Sequence, residues 1–384
     1  MLSRRGLLGL GLAGGMAMLA GNYARAEASG RWLGARIDGA GAAWASAFDD
    51  SGDFVLDVAL PGRVHGFAIH PSGLHAVAFA RRPGDFARVV DLARGAVVLD
   101  IAVADGRHFN GHGAYDATGR WLFATETEIA SGDGVLGIYD AGDGHRRRGE
   151  VSTHGLDPHE IRLAGGGGLL VVANGGLLGH PDAPGAKLNL ATMEPSLVWL
   201  DPRDGALVAQ VRQPAALHQL GTRHLALAGD GAAIVVMQYE GPAGDAVPLV
   251  ARHRPGEPGL TPLSLDERLS RALQQYCGSA AVDVSGTVLA VSSPRGGLVV
   301  FHDLVADIPL GALELVDCCG LAPAGTPGRF VVSSGLGTLL LADARGGAGP
   351  LGAAREDGTR WDNHLAALVG GGADQSSAAA ARRS

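Results

Sequence analysis

Residues 65–101, HGFAIHPSGLHAVAFARRPGDFARVVDLARGAVVLDI, contain four short apolar runs separated by turn residues. The first two runs flank Pro71-Ser72-Gly73, and the last two flank Arg94-Gly95. Apolar runs of about four to eight residues bounded by Gly, Pro and Ser predict β-strands joined by short turns. We interpret this stretch as one unit of four strands, A to D, that begins at His65.

The same pattern recurs along the chain. Further copies begin at His112, His159, His224, Ser279 and Cys319, at spacings of 47, 47, 65, 55 and 40 residues. Four-stranded propeller blades repeat about every 40–45 residues, so the longer copies require inserted loops. We expect one insertion at 177–195, and a second at 264–276 that holds a short amphipathic helix started by a capping box, Ser264 to Glu267.

The two ends of the chain complete the repeat count. Residues 362–368 resemble another strand A with no strands B to D after it, and residues 32–36, 43–48 and 54–58 provide three such strands at the N-terminus. Pairing the two ends in one sheet removes the exposed edges of an open ring. The sequence therefore predicts an all-β, seven-bladed propeller over residues 27–369, with a disordered tail at 370–384. Six or eight blades are the alternatives, because the final blade is Gly-rich and its strands are weakly patterned.

The first 26 residues have the features of an export signal. Arg4-Arg5 precede a short, Gly-rich apolar stretch, and Ala24-Arg25-Ala26 has the pattern of a cleavage site. The paired arginines indicate the twin-arginine route; a membrane anchor is the alternative, but the apolar stretch is short for a membrane span. We expect cleavage after Ala26, no membrane anchor afterwards, and a periplasmic location.

The charge of the chain argues against nucleic acid as a partner. The formal net charge is −8, and loss of the three arginines before Glu27 makes it −11. Lys187 is the only lysine in the sequence. Proteins that bind nucleic acid carry a basic patch for the phosphates, and no such patch is predicted here.

Histidines recur immediately before the inner strands. The equivalent positions are His65, His112, His159, His224, Ser279, Cys319 and His364. Because strand A lines the channel of a propeller, we expect the five histidines to converge there and to bind a transition metal (Fe, Cu or Zn). A ring of seven is too wide for every member to reach one ion at about 2.0–2.1 Å, so three or four ligands are expected, chiefly His112, His159 and His224. The alternative is that each histidine only hydrogen-bonds the neighbouring blade.

Residues near these histidines extend the predicted site. Glu160 is expected to orient an imidazole, and a thiolate from Cys319 would favour softer metals. The loops between strands B and C on the same face suggest ligand-binding residues, namely Arg82, Glu126, Asn174, Glu240 and Arg295. The 177–195 insertion, with His180, Lys187 and Asn189, is expected to cover this face as a lid.

The three cysteines allow one disulfide bond in an exported protein. Cys277 is free to pair with Cys318 or Cys319, whereas the adjacent Cys318 and Cys319 would pair with each other only under strain.

Several strings of the sequence together resemble a family of bacterial exported propellers that is defined only as a domain of unknown function. They are Arg81-Arg82-Pro83-Gly84, Arg107-His108-Phe109-Asn110-Gly111-His112-Gly113, Gly155-Leu156-Asp157-Pro158-His159-Glu160, Val172-Ala173-Asn174-Gly175-Gly176, Lys187-Leu188-Asn189-Leu190 and Ser292-Ser293-Pro294-Arg295-Gly296-Gly297. Members of that family are commonly encoded beside imelysin-type iron-regulated proteins and di-haem peroxidase-like oxidoreductases. The resemblance implies a periplasmic role linked to iron or redox metabolism, with iron-handling periplasmic proteins as partners, and it implies no catalytic residue.

Three functions remain open from the sequence. The first is a metal-binding propeller with a His-rich site at the channel mouth. The second is a metal-independent enzyme, such as a hydrolase or lactonase-like propeller, with a histidine as general base near Glu160 or Glu240. The third is a scaffold whose face docks a partner protein. Propellers serve all three functions, so the fold does not decide between them.

Overall fold

The computed structural model describes residues 32–183, 185–353 and 357–368. Within these residues, the sequence repeats form seven antiparallel sheets of four strands each. The inner strands of neighbouring sheets contact one another in a closed ring. The predicted all-β, seven-bladed propeller is therefore confirmed. The predicted signal, residues 1–26, and the predicted tail, residues 370–384, lie outside the described residues.

The first three strands of the chain belong to the closing blade: β1 (Trp32–Ile37), β2 (Ala43–Phe48) and β3 (Phe54–Leu60). Blade 1 contains β4 (Val64–Ile69), β5 (His75–Ala80), β6 (Phe86–Asp91) and β7 (Ala96–Ala102). Blade 2 contains β8 (Arg107–Tyr115), β9 (Trp121–Glu128), β10 (Asp133–Asp140) and β11 (Arg146–Leu156). Blade 3 contains β12 (Pro158–Ala164), β13 (Leu169–Asn174), β14 (Ser196–Leu200) and β15 (Leu207–Arg212).

Blade 4 contains β16 (Leu220–Leu227), β17 (Ala233–Tyr239), β18 (Val250–His253) and β19 (Thr261–Pro262). Blade 5 contains β20 (Ser279–Val282), β21 (Val288–Ser293), β22 (Leu298–Asp303) and β23 (Ile308–Glu314). Blade 6 contains β24 (Cys318–Pro323), β25 (Arg329–Ser334), β26 (Leu339–Asp343) and β27 (Gly347–Pro350). The last strand, β28 (Arg360–Ala367), is the inner strand of the closing blade.

The two ends of the chain meet in this closing blade. Strand β28 pairs antiparallel with β1, with Trp32 opposite Ala367 and Gly34 opposite Leu365. The rings of Phe48 and Trp361 pack edge to face, with centroids 5.4 Å apart. The predicted sharing of one blade between the termini is therefore confirmed, and it closes the described ring without a gap between the first and last blades.

The core of the protein lies between the blades. The largest cluster of buried residues combines Val171 and Trp199 of blade 3 with Leu225 and Val235 of blade 4 and Leu289 of blade 5. Alternate residues of a strand point to opposite faces of its sheet, and both faces of the central strands are covered by neighbouring blades. This explains why those strands read as continuous apolar runs rather than as alternating ones.

Both predicted insertions are present. Residues 177–195 connect β13 to β14 and include a 3-10 turn, Leu190–Thr192. The helix α1 (Glu267–Ala272) lies in the second insertion and buries Leu269. The expected capping box is wrong, because Asp266 rather than Ser264 caps the helix by accepting from the amide of Leu269 at 2.7 Å. Ser264 instead donates its hydroxyl to Asp307 in blade 5 at 2.8 Å.

The three cysteines, all of them among the described residues, are free thiols. Cys277, Cys318 and Cys319 are buried in three different apolar clusters, so the disulfide considered from the sequence does not form. Burial raises the pKa of the Cys277 and Cys319 thiols to about 12. The described chain also contains no helix long and apolar enough to cross a membrane.

Substitution of Gly34 tests the packing of the closing blade. A Cβ at this position would lie 2.7 Å from Leu365 Cδ2 and 2.9 Å from the indole of Trp361. Because Phe48 and Phe54 pack against that indole, we expect Gly34→Ala to lower the free energy of unfolding by about 1–3 kcal/mol in chemical denaturation. Gly149→Ala is the matched control, since its Cβ would meet nothing within 4 Å. Equal stability of the two variants would contradict this account of the closing blade.

Candidate metal centre in the channel

The histidines enter the channel through irregularities in the inner strands. In β4, Val64 pairs with Ala80 and Gly66 with Phe79, which leaves His65 as an extra residue. In β12, Pro158 pairs with Asn174 and Glu160 with Ala173, which leaves His159 as the extra residue. A bulge of this kind bends the strand and redirects a side chain.

Other inner strands have similar irregularities. Register shifts occur in β8, β16, β24 and β28, whereas β20 pairs regularly through Ser279 within the described chain. In β16 the extra residue is Arg223, and His224 itself pairs with Val236. Glycine permits the close approach that follows. Gly111 has a φ of +100°, and a Cβ on it would lie 2.8 Å from the Cβ of His65.

The five histidines predicted from the sequence converge in the channel. Nine pairs among their rings have centroids between 4.6 and 6.2 Å apart, and the members are His65, His112, His159, His224 and His364. These residues lie up to 299 positions apart in the chain and come from five different blades. We call this set the histidine ring.

Two triads of the histidine ring bring their nitrogens within 4.8 Å of one another. One triad is His65, His112 and His159, and the other is His112, His224 and His364. The ligands of a tetrahedral ion with bonds of about 2.1 Å lie about 3.4 Å apart, so small side-chain rotations would bring either triad to coordination geometry. The combination expected from the sequence, His112 with His159 and His224, is not one of the two triads; His112 is common to both.

Polar neighbours set the orientation of the second triad. The Nδ1 atom of His224 lies 3.0 Å from Glu160 Oε2, and the Nδ1 atom of His364 lies 3.3 Å from the hydroxyl of Ser279. A carboxylate at Nδ1 holds the proton there and leaves Nε2 with a free lone pair. Glu160 was expected to orient an imidazole, and the ring that it contacts is His224.

Glu160 is itself held as a carboxylate. Arg162 lies 2.5 Å from its Oε1 atom, and the amide of Leu225 donates to Oε2 at 3.2 Å. Burial opposes the ionisation of Glu160, but Arg162 and the hydrogen bond from His224 outweigh it and hold its pKa well below the usual range. The carboxylate therefore balances positive charge beside the histidine ring.

Several ring nitrogens are buried without a partner. Both nitrogens of His65, Nε2 of His112, Nδ1 of His159 and Nε2 of His364 form no hydrogen bond with any described residue. A buried polar atom without a partner costs about 1–3 kcal/mol. Because these nitrogens face one another rather than neighbouring blades, the alternative of blade-to-blade hydrogen bonding does not account for them.

Four of the five imidazoles are held neutral. Burial, together with the neighbouring rings, lowers the pKa of His65, His159 and His364 well below the usual value. Burial lowers the pKa of His112 to about 3, although Glu160 opposes this shift. A neutral imidazole is the form that binds a metal ion, so the site needs no deprotonation at neutral pH.

The remaining two positions of the predicted ring do not supply metal ligands. Ser279 hydrogen-bonds His364, as described above. The thiol of Cys319 points away from the channel, towards Ser333 and the carbonyl of Trp361, in a buried apolar cluster. The expected thiolate contribution from Cys319 is therefore wrong.

The histidine ring separates two cavities of different character. The first has a volume of about 380 Å³, and His65, His159 and His224 lie on its floor. The second has a volume of about 550 Å³ and is reached by His112 and His364. Its walls are inner-strand residues, among them the apolar Phe67 and Leu225 and the charged Glu160 and Arg162. We call the first cavity the polar chamber, because charged side chains line it.

Three of the five ligand-binding residues predicted from the sequence line the polar chamber: Arg82, Glu240 and Arg295. Glu126 does not reach it, because its carboxylate accepts from Tyr139 and Arg147 inside blade 2. Asn174 does not reach it either, because its amide donates to Thr153 and Ser196 at the contact of blades 2 and 3. These two residues stabilise blades rather than a ligand site.

The structure adds two residues that the sequence reasoning did not select. Asp157 has a φ of +56° and pairs with both Arg82 and Arg223. Arg223 directly precedes His224 and is almost completely buried. Their closeness in sequence to His159 and His224 is the signal that could have identified them as site residues.

The 177–195 insertion forms one wall of the polar chamber. Residues Leu177–Gly179 and Ala186 line the cavity, and Lys187 pairs with Glu240 across it. Asn189 fixes the loop by accepting from the amide of Leu178 at 2.7 Å and donating to the carbonyl of Gly176 at 2.9 Å. The predicted position of this insertion over the site is confirmed.

The sequence of the described propeller matches a known protein family. Residues 58–368 match the model of the family described as "Protein of unknown function (DUF1513)". The chain belongs to this family. The membership confirms the resemblance proposed from the sequence.

Of two further comparisons, with curated proteins and with solved structures, the second bears on the fold. No curated protein matches the sequence significantly. Among solved structures, Kuenenia stuttgartiensis hydrazine synthase is similar with a TM-score of 0.59 and 14% identity. The match covers 79% of this chain and 89% of that chain. At this identity the similarity supports the propeller fold alone.

The lowered pKa values predict an acid-sensitive site in the metal-free protein. An imidazole that stays neutral when folded but protonates when unfolded stabilises the unfolded chain as the pH falls below about 6.5. With its pKa of about 3, His112 is expected to contribute a loss of about 2 kcal/mol between pH 7.5 and pH 5. Urea denaturation in the presence of a chelator measures this loss. It should be smaller in His112→Gln and unchanged in His154→Gln, whose ring is exposed.

Proposed function

We propose that this protein is a metal-binding propeller that holds one transition-metal ion in its histidine ring. The observation that carries the proposal is the convergence of five imidazoles from five blades, four of which have buried nitrogens that no described residue satisfies. Such nitrogens are costly unless a ligand occupies the space between them. We assign the primary ligands to His112, His224 and His364, because Glu160 and Ser279 already orient two of these rings.

The donor set narrows the choice of ion. Imidazole nitrogen suits Zn, Cu, Fe and Ni, whereas the hard ions Mg and Ca prefer oxygen ligands. Because Cys319 is turned away from the channel, no thiolate biases the site towards softer ions. Three protein ligands would leave one coordination position open, as in catalytic metal sites.

We further propose that the protein acts in the periplasm, in a process linked to iron or redox metabolism, with iron-handling periplasmic proteins as partners. The support comes from the Arg4-Arg5 signal pattern and from the family resemblance. Replacement of both Arg4 and Arg5 by Lys is expected to abolish export through the twin-arginine route. Undiminished periplasmic protein in that variant would contradict the assignment.

Metal analysis tests the proposed centre directly. We expect the purified protein, loaded with Zn²⁺, Cu²⁺ or Fe²⁺ and then desalted, to retain about one ion per chain and to melt at a higher temperature than the chelator-treated form. His112→Asn and His224→Asn should each lose the ion and the rise in Tm. His154→Asn, on the exposed strand β11, is the matched control and should retain both.

The same set of variants decides between the two triads. His159 belongs only to the triad with His65, so His159→Asn is expected to retain the ion. Loss of the ion in His159→Asn with retention in His224→Asn would contradict our ligand assignment. Absence of metal and of any metal-induced rise in Tm in the wild-type protein would overturn the proposed function.

Glu160 provides a finer test, because it acts on the metal through His224. Glu160→Gln keeps the shape of the side chain but removes the charge that holds the proton on Nδ1 of His224. We expect metal affinity to fall about 10- to 100-fold without loss of stoichiometry. Glu126→Gln is the matched control, since Glu126 is an equally buried carboxylate outside the channel. Equal losses of affinity in both variants would show an indirect effect through folding.

A further inference from the structure

The polar chamber is cationic, although the whole chain is acidic. Arg82, Arg223, Arg295 and Lys187 reach the chamber, against the carboxylates of Asp157 and Glu240. The formal net charge of the chain is −8, and Lys187 is its only lysine. A low-dielectric cavity with a local excess of one sign concentrates ligands of the opposite sign.

The ion pairs in the chamber leave positive charge uncompensated. Asp157 is shared, because Arg82 contacts its Oδ1 atom and Arg223 its Oδ2 atom. Glu240 is shared in the same way: Lys187 pairs with Oε2, and Nη2 of Arg223 lies 4.0 Å from Oε1. Three cations therefore share two carboxylates.

Arg295 adds a further cation. Its guanidinium lies over the ring of Tyr276, 4.2 Å from the centroid. No carboxylate of a described residue lies within ion-pair distance of Arg295. A guanidinium stacked on an aromatic ring keeps its edge free, and that edge presents paired N–H donors to a ligand.

Arg223, the deeper of these arginines, supports the same conclusion. Its side chain is only 3% exposed, whereas that of Arg82 is 38% exposed. The Nε atom of Arg223 is buried and has no hydrogen-bond partner among the described residues. Desolvated guanidiniums with incomplete pairing bind carboxylate or phosphate oxygens more strongly than exposed ones do.

We propose that the polar chamber binds a small anion, a carboxylate or a phosphate, between Arg82, Arg223 and Arg295, with one oxygen directed at the histidine ring. The placement beside the ring rests on the proposed metal centre, whereas the anion site itself does not. A cavity of about 380 Å³ lies at the lower end of the range for small-molecule sites, which favours a ligand of a few carbon atoms or a free oxyanion over a nucleotide or a polymer.

Titration calorimetry with two probes tests the anion site. Inorganic phosphate and malonate would be titrated separately into chelator-treated and metal-loaded protein, at constant ionic strength set with chloride. We expect at least one probe to bind the chelator-treated protein, and the stronger probe identifies the chemical class. Arg295→Gln and Arg82→Gln should each weaken binding at least tenfold.

Arg203→Gln is the control, because Arg203 is exposed, pairs with Asp201 on the β14–β15 turn and does not line the chamber. This variant should bind the probes as the wild type does. Melting curves without anion establish that each variant is folded. Binding that survives both chamber substitutions, or no binding of either probe to the wild type in either form, would overturn the proposal.

The two proposals fail separately in this experiment. Anion binding without any metal binding would support the anion site and reject the metal centre, whereas metal binding without anion binding would do the reverse. If both occur, metal loading is expected to raise the anion affinity at least threefold, because the anion then approaches a dication. Equal affinity in the two forms would reject the placement beside the histidine ring.

Discussion

Pairing of β28 with β1 is the contact on which the rest of the structure depends. It closes the ring of blades, because the inner strand of the shared blade then contacts the inner strands of blades 1 and 6. It also brings His364, from the end of the chain, to within 4.8 Å of the ring centroids of His65 and His112. The same backbone pairing thus stabilises the fold and completes the candidate metal centre.

The candidate metal centre consists of polar imidazoles that are buried in the channel. Inner strands of a propeller approach each other closely, and the bulges at His65 and His159 turn their imidazoles into the space that remains. Because these imidazoles are buried against one another, the pKa values of His65 and His159 fall, and their nitrogens keep lone pairs that can bind a metal ion. Glu160 supplies the one strong acceptor, and it acts on His224. A cation between the rings would bind the neutral nitrogens, and the Glu160 carboxylate would balance its positive charge.

The two cavities meet different members of the histidine ring. His224 lines the polar chamber together with Arg82 and Arg223, whereas His112 and His364 line the opposite cavity together with Glu160 and Arg162. Of the three proposed ligands, His224 is therefore the one that borders the polar chamber. Leu177 and Leu178 form part of the wall of that chamber, and the ion pair of Lys187 with Glu240 connects the same loop to the end of β17.

The repeat pattern alone determined the propeller, its seven blades, the shared closing blade and the set of five histidines, because all of these follow from local strand and turn signals repeated at regular spacing. Arg82, Glu240 and Arg295 were placed correctly for the same reason. Only the tertiary structure decided where side chains point. Glu126 and Asn174 were expected on loops, as Glu240 and Arg82 are, but Glu126 lies within β9 and Asn174 ends β13, where partners in their own and adjacent blades bind them. Bulges and contacts between blades involve residues distant in sequence and so leave no periodic signal. They decide the triad membership of His112, the pairing of Glu160 with His224, the orientation of Cys319 away from the channel and the role of Asp157.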